Sequence, residues 1–244
     1  MPLALFVENF TDKYGLIVQT DGDGGDSLNR HGLLGIIMSQ YDEVSDTTKD
    51  WWHDSYLLYQ RVTNEYVRHP KPNTFWSDPA LTSRDQMIPN WIAWGLHAGE
   101  NDRLLEWWTS HKKRLLFFQN NRTTSGKWRP RDITSPVHLA SILRSLNKHK
   151  WLIWILDWFL FISTLETIKK CKDPNHSDII NAFCIFYQTT LVFPTWQSKQ
   201  AAKLLIKNVD IQSKLDHYFR AETHAPPFGV ILKTLVDDFK ERLK

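Results

Sequence analysis

The chain is poor in the residues that define several large protein classes. Only two cysteines, Cys171 and Cys184, occur in 244 residues. That excludes a disulfide-stapled secreted scaffold and a cysteine-rich zinc module. Glycine and proline number 10 and 11, too few for a low-complexity chain. Charge of one sign is scarce: 30 Lys and Arg against 27 Asp and Glu leave a formal +3. A dedicated nucleic-acid binder carries a denser basic stripe, so no nucleic-acid partner is expected. No GxGxxG, Walker A, GxSxG, HExxH or paired CxxC is present, which disfavours common nucleotide-dependent enzymes and zincins. The longest apolar stretch, WLIWILDWFLFIS from Trp151 to Ser163, contains Asp157 and lies between lysines. It falls short of the roughly 20 apolar residues of a membrane span. It reads as a buried helix; membrane contact is not expected, with a monotopic contact as the minority reading. No secretory leader is read at the N-terminus, and a cytoplasmic or virion-associated location is compatible.

What the chain does have is apolar content and tryptophan. Hydrophobic residues make up 42% and charged residues 23%, with 12 Trp. That is enough for a sizeable core, and residues 1–244 read as a single helical domain. Apolar positions recur at helical spacing, and sustained alternation is scarce. The expected fold class is all-α: helical hairpins packed as an (α/α) toroid-like or irregular helical domain. Ser83 and Gln86 fit a capping box, Pro89 lies inside the helix they start, and Ser135-Pro136 is an N-cap with proline at N1. A helix from Asn101 or Asp102 is expected to reach about Gln119. Nine of the tryptophans fall in expected helices, which assigns most of them to the core.

Several segments carry candidate chemistry. In DGDGGDS (21–27), Asp21, Asp23 and Asp26 stand among three glycines. Glycine lets such carboxylates converge, and oxygen ligands of this kind suit Ca²⁺ or Mg²⁺. The EF-hand match is partial, and a simple turn that caps the next helix stays open. Arg30 lies one turn beyond Asp26, at pairing distance along the helix. YVRHP (66–70) supplies Arg68 and His69, and WSDP (76–79) supplies Trp76, an indole able to stack on a sugar. SRDQ (83–86) supplies Arg84 and Asp85 at a helix start, and Asn90 follows on the same helix. His176, Asp178 and Asn181 form a weaker cluster. Asp157 requires a buried partner or a proton, and Arg30, Arg68 or Arg84 would serve as the partner.

The ordered set DGDGGDS, YVRHP, WSDP and SRDQ resembles a family of bacterial and phage-type proteins that carries no established activity. The resemblance covers about the first 90 residues. At fold level, a helical-hairpin chain with an acidic loop and aromatic-rich pocket is similar to the (α/α)-barrel glycoside hydrolases and polysaccharide lyases. A full six-hairpin barrel needs a longer chain, so a smaller or incomplete toroid is implied. Two functions remain open. One is a carbohydrate-active enzyme with Asp26 and Asp85 as acid and base, and with Arg30, Arg68, His69, Trp76, Arg84 and Asn90 on a glycan. The other is a non-catalytic structural or interaction protein, part of a larger assembly with protein partners. A large exposed apolar patch favours the second.

Overall fold

The computed structural model describes residues 27–40, 49–55, 66, 84–113, 116, 133–172, 176–221 and 226–244, with their side chains except at 176–177, 217–221, 226–232 and 234. The described residues are largely helical and contain no β-strand. The order is α1 (Ser27–Met38), a helical segment at 49–55, α2 (Arg84–Leu96), a 3-10 turn (Ala98–Glu100), α3 (Asn101–Lys113) and α4 (Pro136–Ser145). There follow α5 (Lys150–Lys172), α6 (His176–Leu191), α7 (Trp196–Asn208), α8 (Ile211–Ala221) and α9 (Pro226–Arg242).

Local chemistry sets most boundaries. Ser135 is extended and accepts from His138 N, so α4 begins at Pro136 as its sequence requires. Thr195 and Ser198 form a reciprocal capping box that starts α7. Pro226 and Pro227 occupy the first turn of α9, where a missing N–H costs nothing. The helix expected to reach Gln119 ends earlier. Leu116 has a φ of 64°, a left-handed backbone that a helix cannot contain. Its N–H returns to His111 O at 3.2 Å, and its carbonyl accepts from Thr134 N at 3.0 Å.

The core is organised around α1, whose twelve residues are all buried. α1 and α2 run parallel: Asn29 meets Gln86, Gly32 meets Asn90, and Gly35 O meets His97. Glycine is required at the crossing, because a Cβ on Gly32 would fall 2.5 Å from Asn90 N. Pro89 lies within α2 without ending it. A proline there removes the N–H that would bond Asp85 O, and Asn29 Nδ2 donates to that carbonyl instead, at 2.7 Å.

α4 and α6 continue this parallel layer. Trp91 Nε1 on α2 donates to Ser141 Oγ on α4 at 2.9 Å. Ser141 Oγ donates in turn to Gln188 Oε1 on α6, and Gln188 Nε2 donates to Ser141 O at 3.0 Å and to Ser145 Oγ at 2.7 Å. At the other end, Asn29 Nδ2 donates to Asn181 Oδ1 at 3.2 Å. The N-termini of α1, α2, α4 and α6 therefore share one end of the layer. The described contacts draw a layer of parallel helices with α5 returning across it.

α5 returns across this layer with Ile153, Leu156, Asp157, Leu160, Thr164, Ile168 and Cys171 turned inward. Asp157 is fully buried and accepts from Arg144 Nη2 on α4 and from Thr195 Oγ1 at the start of α7. The partner is thus Arg144, and not Arg30, Arg68 or Arg84. Only the inward face of α5 is buried, which corrects the reading of Trp151 to Ser163 as a buried helix. Trp151 is 67%, Trp154 51% and Ile162 68% exposed. Among the described residues, tryptophan accordingly falls into two main groups, with Trp51 half-buried between them. Trp52, Trp91, Trp94, Trp107 and Trp108 are buried, with Trp91 and Trp107 stacked at 5.6 Å. Trp151, Trp154, Trp158 and Trp196 face outward.

Removing one partner of a buried ion pair strands the other charge. Asp157→Ala is expected to lower unfolding stability by about 3–5 kcal/mol. The double replacement Arg144→Met with Asp157→Leu is expected to recover most of that loss, as measured by chemical denaturation.

Candidate functional site

The shared N-terminal end of α2, α4 and α6 opens into a groove of about 530 Å³. Arg84 and Asp85 come from the first turn of α2, Ser135 and His138 from the start of α4, and Asp178 and Asn181 from α6. The C-terminal half of α5 closes the far wall with Phe159, Ser163, Glu166 and Lys170, and Ile88, Leu160 and Ile185 add apolar surface. Helix N-termini carry partial positive charge. Asp85 and Asp178 lie in the first turns of α2 and α6, where carboxylates are favoured.

The charged groups compensate one another. Arg84 Nε lies 3.3 Å from Asp85 Oδ1. Lys170 Nζ lies 3.5 Å from Glu166 and 4.0 Å from Asp178. His138 Nδ1 is 2.7 Å from Ser135 Oγ. Burial, with the positive charges of Arg84 and Lys170, lowers the His138 pKa to about 3. The imidazole is therefore neutral at physiological pH. Asn181 is 4% exposed; its Oδ1 accepts from Asn29, and its Nδ2 has no hydrogen-bond partner.

Of the ten residues expected to act on a glycan or hold a metal, four are described. Arg84 and Asp85 line the groove. Asn90 lies one turn further along α2, fully buried, and its amide donates to Leu28 O at 2.9 Å and Gln86 O at 2.6 Å. It joins α1 to α2. Arg30 is buried on α1. Asp21, Asp23, Asp26, Arg68, His69 and Trp76 lie outside the described residues. Among the described residues, no group of three His, Cys, Asp or Glu side chains is placed to hold a metal ion. Gln86 accepts from Asn29 N at 3.0 Å, so the SRDQ turn adjoins the residues that directly follow DGDGGDS. Glu166 and Lys170 escaped the sequence reading, although their i,i+4 spacing on α5 was visible. Asp178 and Asn181 stood out by spacing, but nothing local placed them beside Asp85.

A second feature borders the groove. Trp151, Trp154, Ile155, Trp158, Phe159, Ile162 and Leu165 are exposed along one side of α5, opposite the inward residues. Trp196 at the start of α7 extends this stripe, with its ring 6.2 Å from Trp158 and 6.4 Å from Phe161. The buried Gln197 amide, oriented with its oxygen toward the indoles, accepts from Trp158 Nε1 at 2.9 Å and Trp154 Nε1 at 3.3 Å. The polar edges of both indoles are then satisfied within the protein, and their apolar edges face out.

His31 and His138 share the acid response. His31 is fully buried and donates from Nε2 to Trp52 O at 3.1 Å; burial lowers its pKa to about 3. Between about pH 3 and 6.5 the unfolded chain binds more protons at both histidines than the folded one, so stability falls as pH falls through that window. The expected slope is about 1.4 kcal/mol per pH unit from each of His31 and His138, whose pKa values are lowered alike, read as their sum from denaturation curves at several pH values. Imidazole NMR signals of His31 and His138 are expected to show no titration step between pH 5 and 8. In comparisons with known proteins, the chain matches no family model, no curated protein and no solved structure.

Proposed function

We propose that this chain is a non-catalytic docking protein that lays α5 flat on an anionic membrane surface. The observation that carries this reading is the exposed stripe of α5, a contiguous apolar face with four outward indoles counting Trp196. Soluble domains rarely leave such a face uncovered. Indoles with satisfied N–H groups and free apolar edges suit the boundary between headgroups and acyl chains.

Charge selects the occupant. Lys148 and Lys150 are exposed at the start of α5, and Lys169, Lys170 and Lys172 at its end. Lys199, Lys203 and Lys207 are exposed on α7 and recur on the side that carries Trp196. Glu166 is the only exposed carboxylate on α5 and α7. Each lysine near an anionic surface contributes about 1 kcal/mol. A second copy of the chain is a poorer occupant, because a symmetric contact sets the same patch against itself and brings the lysine rows together.

α5 is, among the described residues, the one helix long and apolar enough to cross a bilayer by composition. Its packing favours an in-plane position instead. Asp157 is held by Arg144 and Thr195, and the inward face is committed to the protein core. The carbohydrate-active reading needs Asp26 and Asp85 as a pair, of which only Asp85 is described.

The test is sedimentation of the full chain with phosphatidylcholine vesicles, with and without phosphatidylglycerol. Binding is expected only when the anionic lipid is present, and it should weaken with salt. Ile162→Gln with Leu165→Gln should change stability by less than about 0.5 kcal/mol, because both sites are exposed. The same variant should reduce vesicle binding at least tenfold. Absence of binding to anionic vesicles contradicts the reading, as does a concentration-dependent dimer that the variant abolishes.

A further inference from the structure

We propose that the groove at the N-termini of α2, α4 and α6 binds a neutral polyhydroxylated ligand, one or two sugar units in size. This goes beyond the docking reading and does not depend on what covers the outer face of α5. The proposal rests on the unpartnered, buried Nδ2 of Asn181, a residue that lines the groove. A buried donor without a partner is costly in a folded protein. An acceptor atom of a ligand in the groove would satisfy it.

The surrounding charges narrow the ligand class. An anion in the groove would meet Asp85, Glu166 and Asp178, and a cation would meet Arg84 and Lys170. A hydroxyl meets both signs favourably: it donates to a carboxylate and accepts from a guanidinium, an ammonium or the Asn181 amide. Ser135 adds a further hydroxyl. The apolar surface of Ile88, Leu160 and Ile185, with Phe159 beside it, matches the C–H faces of a sugar ring. A volume of about 530 Å³ falls within the range of small-ligand sites. The sugar would come either free in solution or as the headgroup of a glycolipid, since Phe159 and Ile162 belong to both the groove and the exposed stripe.

The full chain would be titrated with neutral mono- and disaccharides by ligand-observed NMR. A parallel arm would present the same sugars on lipids in uncharged phosphatidylcholine vesicles, which the docking reading does not expect to bind. Saturable binding to at least one sugar is expected. Asn181→Asp keeps the acceptor to Asn29 and removes the donor, and should weaken binding at least tenfold. Ala182→Leu fills the groove without touching its polar groups and should abolish binding, with the fold intact by circular dichroism. It tests the site even where Asn181→Asp fails to fold. Binding in the soluble arm identifies a free sugar, and binding in the vesicle arm alone identifies a glycolipid. No binding in either arm overturns the proposal, as does binding that survives Ala182→Leu. Attachment to anionic vesicles is unaffected by any of these outcomes.

Discussion

Asp157 accepts from Arg144 and from Thr195, and through that buried junction three helices take their places. Arg144 lies near the end of α4, Asp157 in the middle of α5, and Thr195 caps α7. A carboxylate that must face a buried guanidinium fixes the rotation of the helix that carries it. α5 is apolar on both sides, so hydrophobic burial alone does not decide which side turns inward. The ion pair does. Once Asp157 points to the core, the side bearing Trp151, Trp154, Trp158 and Ile162 must point out.

The same logic separates what was legible in the sequence from what was not. Boundaries governed by neighbours were readable: Ser135 caps α4 and proline follows it, because the capping chemistry lies within four residues. All-α architecture was readable from periodicity. The burial of individual helices was not. The helix buried all round is α1, which carries Asn29, Arg30 and His31, whereas the more apolar α5 is half exposed. The polar groups on α1 find partners far along the chain: Asn29 reaches Asp85, Gln86 and Asn181, and His31 reaches Trp52. No local pattern announces such pairings. Pro89 shows the limit most directly, since the Asp85 carbonyl that it leaves without a helical donor is met by Asn29, from a distant segment.

The candidate site follows from the parallel layer. Glycine at position 32 lets α1 approach α2 to backbone contact, and the Ser141–Gln188 hydrogen bonds hold α4 against α6. With their N-termini aligned, residues from distant segments line one groove. Arg84 and Asp85 were recognisable as a polar helix start. Their neighbours Glu166, Lys170 and Asn181 come from other helices, and only the fold joins them. Groove and stripe meet at Phe159 and Ile162, so a surface seated on α5 would lie at the groove's edge.

The central claim is that the outward face of α5 enters the headgroup layer of an anionic bilayer while the protein stays folded. A nitroxide at position 162, introduced as Ile162→Cys, tests it most directly. The native Cys171 and Cys184 are buried, and burial raises both thiol pKa values, so the new thiol reacts selectively. On phosphatidylglycerol-containing vesicles, the account predicts electron paramagnetic resonance accessibility to oxygen above that to a water-soluble nickel chelate, at a depth of about 5–10 Å. A label that stays equally open to the chelate with and without vesicles would contradict it.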